Sequence, residues 1–222
     1  MFLGHFGAGF GAKSIAPQVS LGWLFAAAQF VDLLWPTLLL AGIERVRIEP
    51  GATAVTPLVF EHYPVSHSLL AVAGWSLAVA AVYLALKRDR RGALVLAALV
   101  ASHWFLDAIV HQPDLPLYPG SATLVGLGAW SSHAVSLAIE LPLFAAGAWL
   151  YARSTRPVDA TGRWAWAALV AFLLFVHAGN LLGPPPPGTG AIAWVGQAQW
   201  LLVLWAFWAD NHRRPATLAE SR

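Results

Sequence analysis

The residues best suited to chemistry lie near the middle of the chain, where residues 102–111 read Ser-His-Trp-Phe-Leu-Asp-Ala-Ile-Val-His. His103, Asp107 and His111 recur every four residues within an otherwise apolar run, so a helix would place them on one face. Imidazole nitrogens and carboxylate oxygens are good ligands for a divalent ion such as zinc, and an i, i+4 pair presents both to one point. The spacing therefore predicts a metal site that includes His103 and Asp107.

The composition places this site in a membrane protein. Of the 222 residues, 58% are hydrophobic and 11% are charged, whereas an average soluble domain carries roughly 25% charged residues. The mean hydropathy is +0.62, and several apolar stretches have the length of about 20 residues that crosses a bilayer as a helix. We expect an all-α fold, namely a polytopic integral membrane helical bundle that forms a single transmembrane domain over residues 1–222.

The same composition limits the cofactors and partners. The chain has no cysteine, so His, Asp, Glu or backbone oxygen must hold any metal. The formal net charge is only +2, and the basic residues cluster in short loops, which is typical of membrane topology rather than of nucleic-acid binding. We expect the lipid bilayer and a small-molecule or lipid substrate as partners, and no nucleic acid.

The apolar stretches predict six transmembrane helices and one short N-terminal helix. The spans lie near residues 19–43, 66–86, 92–110, 132–151, 164–182 and 191–209, and a short apolar helix covers residues 1–12. The first span carries Asp32 four residues before Pro36, a proline that should kink or locally open the helix. Ser66 is the natural N-cap of the second span.

Positively charged loops indicate which ends face the cytoplasm. Lys and Arg are concentrated in residues 87–91, 152–163 and 213–214. Because short loops rich in Lys and Arg stay on the cytoplasmic side, these regions should face the cytoplasm, and the C-terminus with them. We expect a protein of the bacterial cytoplasmic (inner) membrane, with loops 44–65 and 111–131 on the outer side.

This topology gathers further ionisable residues in the outer half of the membrane. His67 begins the second span, and Asp32 lies nearer mid-depth in the first. A lone charge at the bilayer centre costs roughly 2.5 to 3.5 kcal/mol, so Asp32 and Asp107 should face partners inside the bundle, and a bound cation is one such partner. His5 joins the site if the N-terminal helix enters from the outer side, which its four glycines favour by permitting close packing. A helix lying on the cytoplasmic surface would instead take His5 out of the site.

Three residues are candidates for proton transfer beside the metal: Glu140, His111 and His133. Glu140 lies inside the fourth span, where it could serve as a base or as a hydrogen-bond partner within the bundle. His111 lies in a turn and His133 at a helix start, so both have structural roles as alternatives. Asp114 is placed to orient an imidazole from outside the ligand set.

At these residues the chain resembles the LexA-regulated, membrane-bound metal-dependent hydrolases (YdjM-like). The likeness lies in four pieces of the first half of the chain: Gly4-His5, Asp32, Ser66-His67-Ser68-Leu69-Leu70, and Ser102-His103 through Leu106-Asp107. More distantly, the chain is similar to the zinc-dependent phospholipase C and nuclease-like helical proteins. The resemblance implies metal ligands at His5, Asp32, His67, His103 and Asp107. The acidic stretch of the family is reduced to Asp32 here, which weakens the case for a second or third metal.

The residues and the resemblance together predict a membrane-embedded, metal-dependent hydrolase that acts on an ester, including a phosphoester or a lipid, at the outer face of the membrane. The expected cofactor is a divalent metal, with zinc preferred. Three alternatives stay open. The same acids and histidines suit an ion or small-molecule transporter, histidines on several spans suit a bis-histidine haem-binding protein, and a structural membrane protein without chemistry is the third.

Overall fold

The computed structural model describes residues 1–216 as a mostly helical protein, as predicted. The helices are α1 (Leu3–Ala12), α2 (Leu21–Ala28), α3 (Phe30–Leu40), α4 (Pro64–His67), α5 (Leu69–Lys87), α6 (Arg90–Val110), α7 (His133–Ser154), α8 (Ala160–Leu182), α9 (Thr189–Gln197) and α10 (Gln199–Asn211). The strands are β1 (Arg45–Ile48), β2 (Leu58–His62), β3 (Leu115–Pro116), β4 (Leu124–Val125), β5 (Thr155–Pro157) and β6 (Arg213–Pro215). The C-terminus, predicted to be cytoplasmic, lies outside the described residues.

Five of the helical segments are long and apolar enough to cross a membrane. They are α5, α6, α7, α8 and the combined stretch of α9 and α10 from Thr189 to Asn211. The bent pair α2 and α3 makes a sixth if the two helices are one span. The predicted mostly helical fold is therefore confirmed, and the long apolar helices are compatible with a membrane protein.

The predicted first span is divided into two helices by a bend of 56°. The break falls at Gln29 and not at Pro36, which lies inside α3. At the break, the Ala28 carbonyl accepts a hydrogen bond from His103 Nδ1 at 2.9 Å. An unbroken helix would use that carbonyl within its own ladder, so the bend makes it available to another helix.

Three short antiparallel strand pairs interrupt the helices, and none was predicted from the sequence. The β1–β2 hairpin lies in the expected loop 44–65, and its tip is held because the amides of Ala54 and Val55 donate to the Trp130 carbonyl. The β3–β4 pair follows α6 on the same side of the molecule. At the opposite end, β5 and β6 join the α7–α8 connection to the chain after α10. The first two pairs thus cover the end of the bundle where α6 finishes.

Helix α1 is too short to be a span, yet it is buried along most of its length. Eight of its ten residues are buried, and α1 packs mainly against α7. Gly7 and Gly147 let the two backbones touch, since a Cβ atom built on Gly147 would lie 2.0 Å from the Gly7 carbonyl oxygen. Glycine contacts of this kind allow helices in membranes to approach closely, and here they carry His5 into the bundle.

A buried polar cluster fixes the other end of α1. Lys13 Nζ donates to Asp210 Oδ2 at 2.7 Å and to the Val19 carbonyl at 2.9 Å. Asp210 also accepts from the Tyr151 hydroxyl at 2.7 Å and from the Leu21 amide at 3.0 Å. Every polar group of this cluster has a partner, which indicates a structural clamp that joins α1, α2, α7 and α10.

We predict that Gly147→Ala destabilises the protein, because the added methyl group meets the backbone of Gly7 and forces α1 away from α7. Overpacking of this kind costs about 1–3 kcal/mol. The measurement is the thermal unfolding midpoint in detergent micelles, followed by circular dichroism. Gly74→Ala on α5 is the matched control, since nothing lies within 4 Å of its Cβ position. Equal midpoints for the two variants would contradict the close α1–α7 contact.

Candidate metal centre

The five residues predicted as metal ligands lie together in the structure. They come from four helices: His5 from α1, Asp32 from α3, His67 from α4, and His103 with Asp107 from α6. Two groups of three, His5–His103–Asp107 and Asp32–His67–His103, each have ligand atoms within 4.8 Å of one another. A buried His and Asp cluster able to hold a metal ion is therefore present, as the sequence predicted.

Asp32, His67, His103 and Asp107, called the donor set below, bring two carboxylates close to two imidazole nitrogens. Asp32 Oδ1 lies 3.6 Å from Nε2 of His67 and 3.6 Å from Nε2 of His103. Asp107 Oδ2 lies 3.1 Å from Nε2 of His103 and 3.9 Å from Nε2 of His67. Ligands about 2.0–2.1 Å from a tetrahedral zinc ion are separated by about 3.3 Å, so these carboxylate–imidazole distances are close to those between ligands of one ion. The residues that meet this condition mutually form two triads that share His103.

The two oxygens of Asp107 have different partners. Oδ2 faces His67 and His103, whereas Oδ1 is 3.0 Å from His5 Nε2 in hydrogen-bond geometry. The amino group of Met1 lies 2.5 Å from the same Oδ1. The His5 ring stacks on the His103 ring with the centroids 3.6 Å apart. His5 thus contacts both Asp107 and His103.

In both His103 and His67, the Nδ1 nitrogen lies within hydrogen-bond distance of an oxygen atom. His103 Nδ1 is bonded to the Ala28 carbonyl at 2.9 Å, and His67 Nδ1 lies 2.6 Å from Ser66 Oγ. Ser66 therefore contacts His67, and the N-cap of α5 is Ser68, not Ser66 as predicted. Bonds of this kind leave Nε2 free to bind a metal. Within residues 1–216, His103 Nε2 is buried without a hydrogen-bond partner, which is the state expected of a metal-binding atom.

The cluster is deeply buried but can be reached from one side. His103, Asp107 and His5 are 0–1% exposed and His67 is 3% exposed. The side chain of Asp32 is 25% exposed. Asp32 therefore marks the open side of the cluster.

His111 lies just beyond α6 and forms a second polar group beside the cluster. Its ring centroid is 6.4 Å from that of His67, and its Nδ1 lies 2.9 Å from Asp114 Oδ1. Asp114 Oδ1 also accepts from the Tyr63 hydroxyl at 2.7 Å. Burial lowers the pKa of His111 below its ordinary value, so the ring is neutral near pH 7. Burial and the nearby Asp114 raise the pKa of Tyr63, which keeps its hydroxyl a donor.

The other two residues predicted to transfer protons lie elsewhere. Glu140 Oε2 accepts from the backbone amides of Phe2 and Leu3 at 3.0 and 2.8 Å. A carboxylate in this position stabilises the positive end of a helix, so Glu140 holds the start of α1. His133 is exposed at the first residue of α7, and no hydrogen bond joins it to the cluster in the part of the chain described.

The residues that sequence reasoning missed are Glu44, Ser66 and Tyr63, which contact the imidazoles or their partners. Ser66 precedes His67 directly, and this adjacency is the only signal that marked it in advance. Glu44 is 22 residues away from Ser66, and no spacing rule connects them.

Comparison with known proteins identifies no relative. No protein-family model matches the chain, and no curated protein or solved structure is significantly similar to it.

We predict that Glu140→Ala destabilises the protein by about 1–3 kcal/mol, because two backbone amides at the start of α1 lose their acceptor. Glu140→Gln is the matched variant, since one oxygen accepts both bonds in the structure and the amide side chain retains such an oxygen. The measurement is the unfolding midpoint in detergent. An unchanged midpoint for Glu140→Ala would contradict the capping role.

Proposed function

We propose that the protein is a membrane-embedded, metal-dependent hydrolase that acts on an ester, including a phosphoester or a lipid, at the outer face of the membrane. The observation that carries the proposal is the close approach of the Asp32 and Asp107 carboxylates to Nε2 of His67 and His103, at 3.1–3.9 Å, in a cluster that contains two potential metal-binding triads. Two imidazoles and two carboxylates suit zinc, which accepts nitrogen and oxygen ligands in tetrahedral geometry.

Catalysis, rather than a purely structural role for the metal, is favoured by the exposure of Asp32. Four protein ligands alone would give a closed structural site, whereas catalytic zinc keeps a position for water or substrate and expands its coordination when needed. Asp32 is the one ligand candidate with substantial exposure. A bound divalent cation would make water more acidic, lowering the pKa of the bound water to about 7.

His111 is the residue we assign to proton transfer. Because Asp114 accepts at Nδ1, the proton of the neutral ring stays on that nitrogen and Nε2 carries the lone pair. Asp114 in turn is held by the Tyr63 hydroxyl. A neutral imidazole fixed in this way is a competent general base, and it lies beside His67, at the covered end of the bundle.

The outer location rests on the positions of the basic residues along α6. Arg90 and Arg91 begin this helix, whereas His103 and Asp107 lie 13 to 17 residues after Arg90, or about 20–25 Å along the axis. Loops rich in Arg remain on the cytoplasmic side, so we place the cluster near the opposite face.

Two alternative functions fit the structure less well. A transporter needs a polar route beyond the cluster, yet Leu99 and Leu96, one and two turns below His103 on α6, are 6% and 0% exposed within apolar packing. A bis-histidine haem needs open space beside both Nε2 atoms. The carboxylates of Asp32 and Asp107 lie within 3.9 Å of those atoms, which favours a compact cation.

We predict that His103→Ala and Asp107→Ala each abolish stoichiometric metal binding and hydrolysis, because each removes one of the four donor atoms. The measurements are elemental analysis of the purified protein and turnover of chromogenic carboxylic and phosphoric esters in detergent. His62→Ala is the matched control, since His62 is exposed on β2. One equivalent of metal retained in both cluster variants would exclude the assignment.

We predict a milder effect for His5→Gln. In the structure His5 Nε2 bonds to Asp107 Oδ1, whereas Oδ2 is the oxygen near His67 and His103. A residue that only orients a ligand changes metal affinity by about 10- to 100-fold. The variant should bind one equivalent of zinc with weakened affinity, measured by competition with a fluorescent chelator. Complete loss of the metal in a folded variant would make His5 a ligand instead.

A further inference from the structure

Glu44 is a buried acid that lies outside the donor set. It is 2% exposed and directly precedes β1. Its Oε1 accepts from the amides of Val65 and Ser66, both at 2.8 Å, and its Oε2 accepts from Ser66 Oγ at 2.5 Å. The carboxylate is therefore fixed against the backbone of α4, the short helix that presents His67.

Ser66 Oγ joins this carboxylate to the imidazole. The hydroxyl lies between Glu44 Oε2 at 2.5 Å and His67 Nδ1 at 2.6 Å. A hydroxyl has one proton to donate, and a carboxylate can only accept. The proton of Ser66 is thus used toward Glu44, and Oγ can serve His67 only as an acceptor.

We propose that Glu44 and Ser66 are positioning residues that keep the proton of His67 on Nδ1, so that its Nε2 carries a lone pair toward Asp32 and Asp107. The proton on Nδ1 follows from the contacts of Ser66, whereas the use of Nε2 in metal binding rests on the proposed function. His103 obtains the same tautomer from the Ala28 carbonyl. His67 differs because its tautomer depends on side chains, which substitution can alter.

The hydrogen bonds that run from His67 through Ser66 to Glu44, called the relay below, have one donor direction. A single isosteric substitution of Glu44 should reverse it. In Glu44→Gln, the carbonyl oxygen of the new amide would accept from the amides of Val65 and Ser66, as Oε1 does now. The NH₂ group would then face Ser66 Oγ and donate to it. The Ser66 proton would turn to His67 Nδ1 at 2.6 Å, which is nearer than the other acceptor in reach, the Tyr63 carbonyl at 3.5 Å. The ring proton would move to Nε2, and metal binding there would first require the tautomer to revert.

The test uses two measurements on the full-length protein in detergent. Nitrogen-15 NMR of histidine-labelled, metal-free protein reports which ring nitrogen of His67 carries the proton, with the resonance assigned from its loss in His67→Gln. Zinc affinity is measured by chelator competition. Ser66→Ala and Glu44→Gln are the test variants. Ser68→Ala is the matched control, because it removes an equally buried neighbouring hydroxyl that accepts only from the Ala71 amide.

We expect His67 to carry its proton on Nδ1 in the wild type and in Ser68→Ala, and on Nε2 in Glu44→Gln. Zinc affinity should fall by about 10- to 100-fold in Ser66→Ala, and at least as far in Glu44→Gln. Ser66→Thr keeps the hydroxyl and should show the wild-type tautomer and the wild-type zinc affinity. This variant distinguishes loss of the Ser66 hydrogen bonds from a general folding defect.

An unchanged His67 tautomer in folded Glu44→Gln would overturn the relay, as would equal zinc affinities for Ser66→Ala and Ser68→Ala. A wild type that binds no zinc but shows the tautomer reversal in Glu44→Gln would leave the relay standing and would reject the proposed function. The two inferences therefore fail on different measurements.

Discussion

The structure depends on the compensation of two carboxylates buried in an apolar helical bundle. Charged groups that leave water without a partner are strongly unfavourable, so buried charges are paired or coordinate a metal. Asp107 is 1% exposed, and Asp32 faces the same centre from another helix. The imidazoles of three histidines surround these two carboxylates, and the packing of the helices brings these side chains together.

Several irregular features of the fold serve this arrangement. A helix too short to cross the membrane enters the bundle and delivers His5, and its ends are held by Glu140 and by the Lys13–Asp210 pair. The break at Gln29 makes a backbone carbonyl available to His103. Each irregularity interrupts regular helical structure. Each also provides a contact to the cluster or to a helix that carries a cluster residue.

Two of the buried polar clusters in the described residues differ in a way that bears on function. In the clamp around Asp210, the carboxylate accepts from Lys13, Tyr151 and the Leu21 amide, so its groups satisfy one another. In the cluster around Asp107, His103 Nε2 stays unpartnered within residues 1–216 although it lies 3.1 Å from a carboxylate oxygen. Polar groups converge there without completing their hydrogen bonds, a geometry that suits a cation better than it suits internal pairing.

The sequence by itself predicted the mostly helical fold, the approximate positions of the long apolar helices and the residues of the cluster. Hydropathy and the helical period act over neighbouring residues, so the apolar runs and the i, i+4 placement of His103 and Asp107 follow from local spacing alone. Tertiary structure decided the rest. The contacts of His5 with Asp107, of His103 with Ala28 and of Leu3 with Glu140 join residues 102, 75 and 137 positions apart. No local pattern encodes such pairs, because they form only when helices distant in the chain pack together, and this packing is also what separates Glu140 and His133 from the centre.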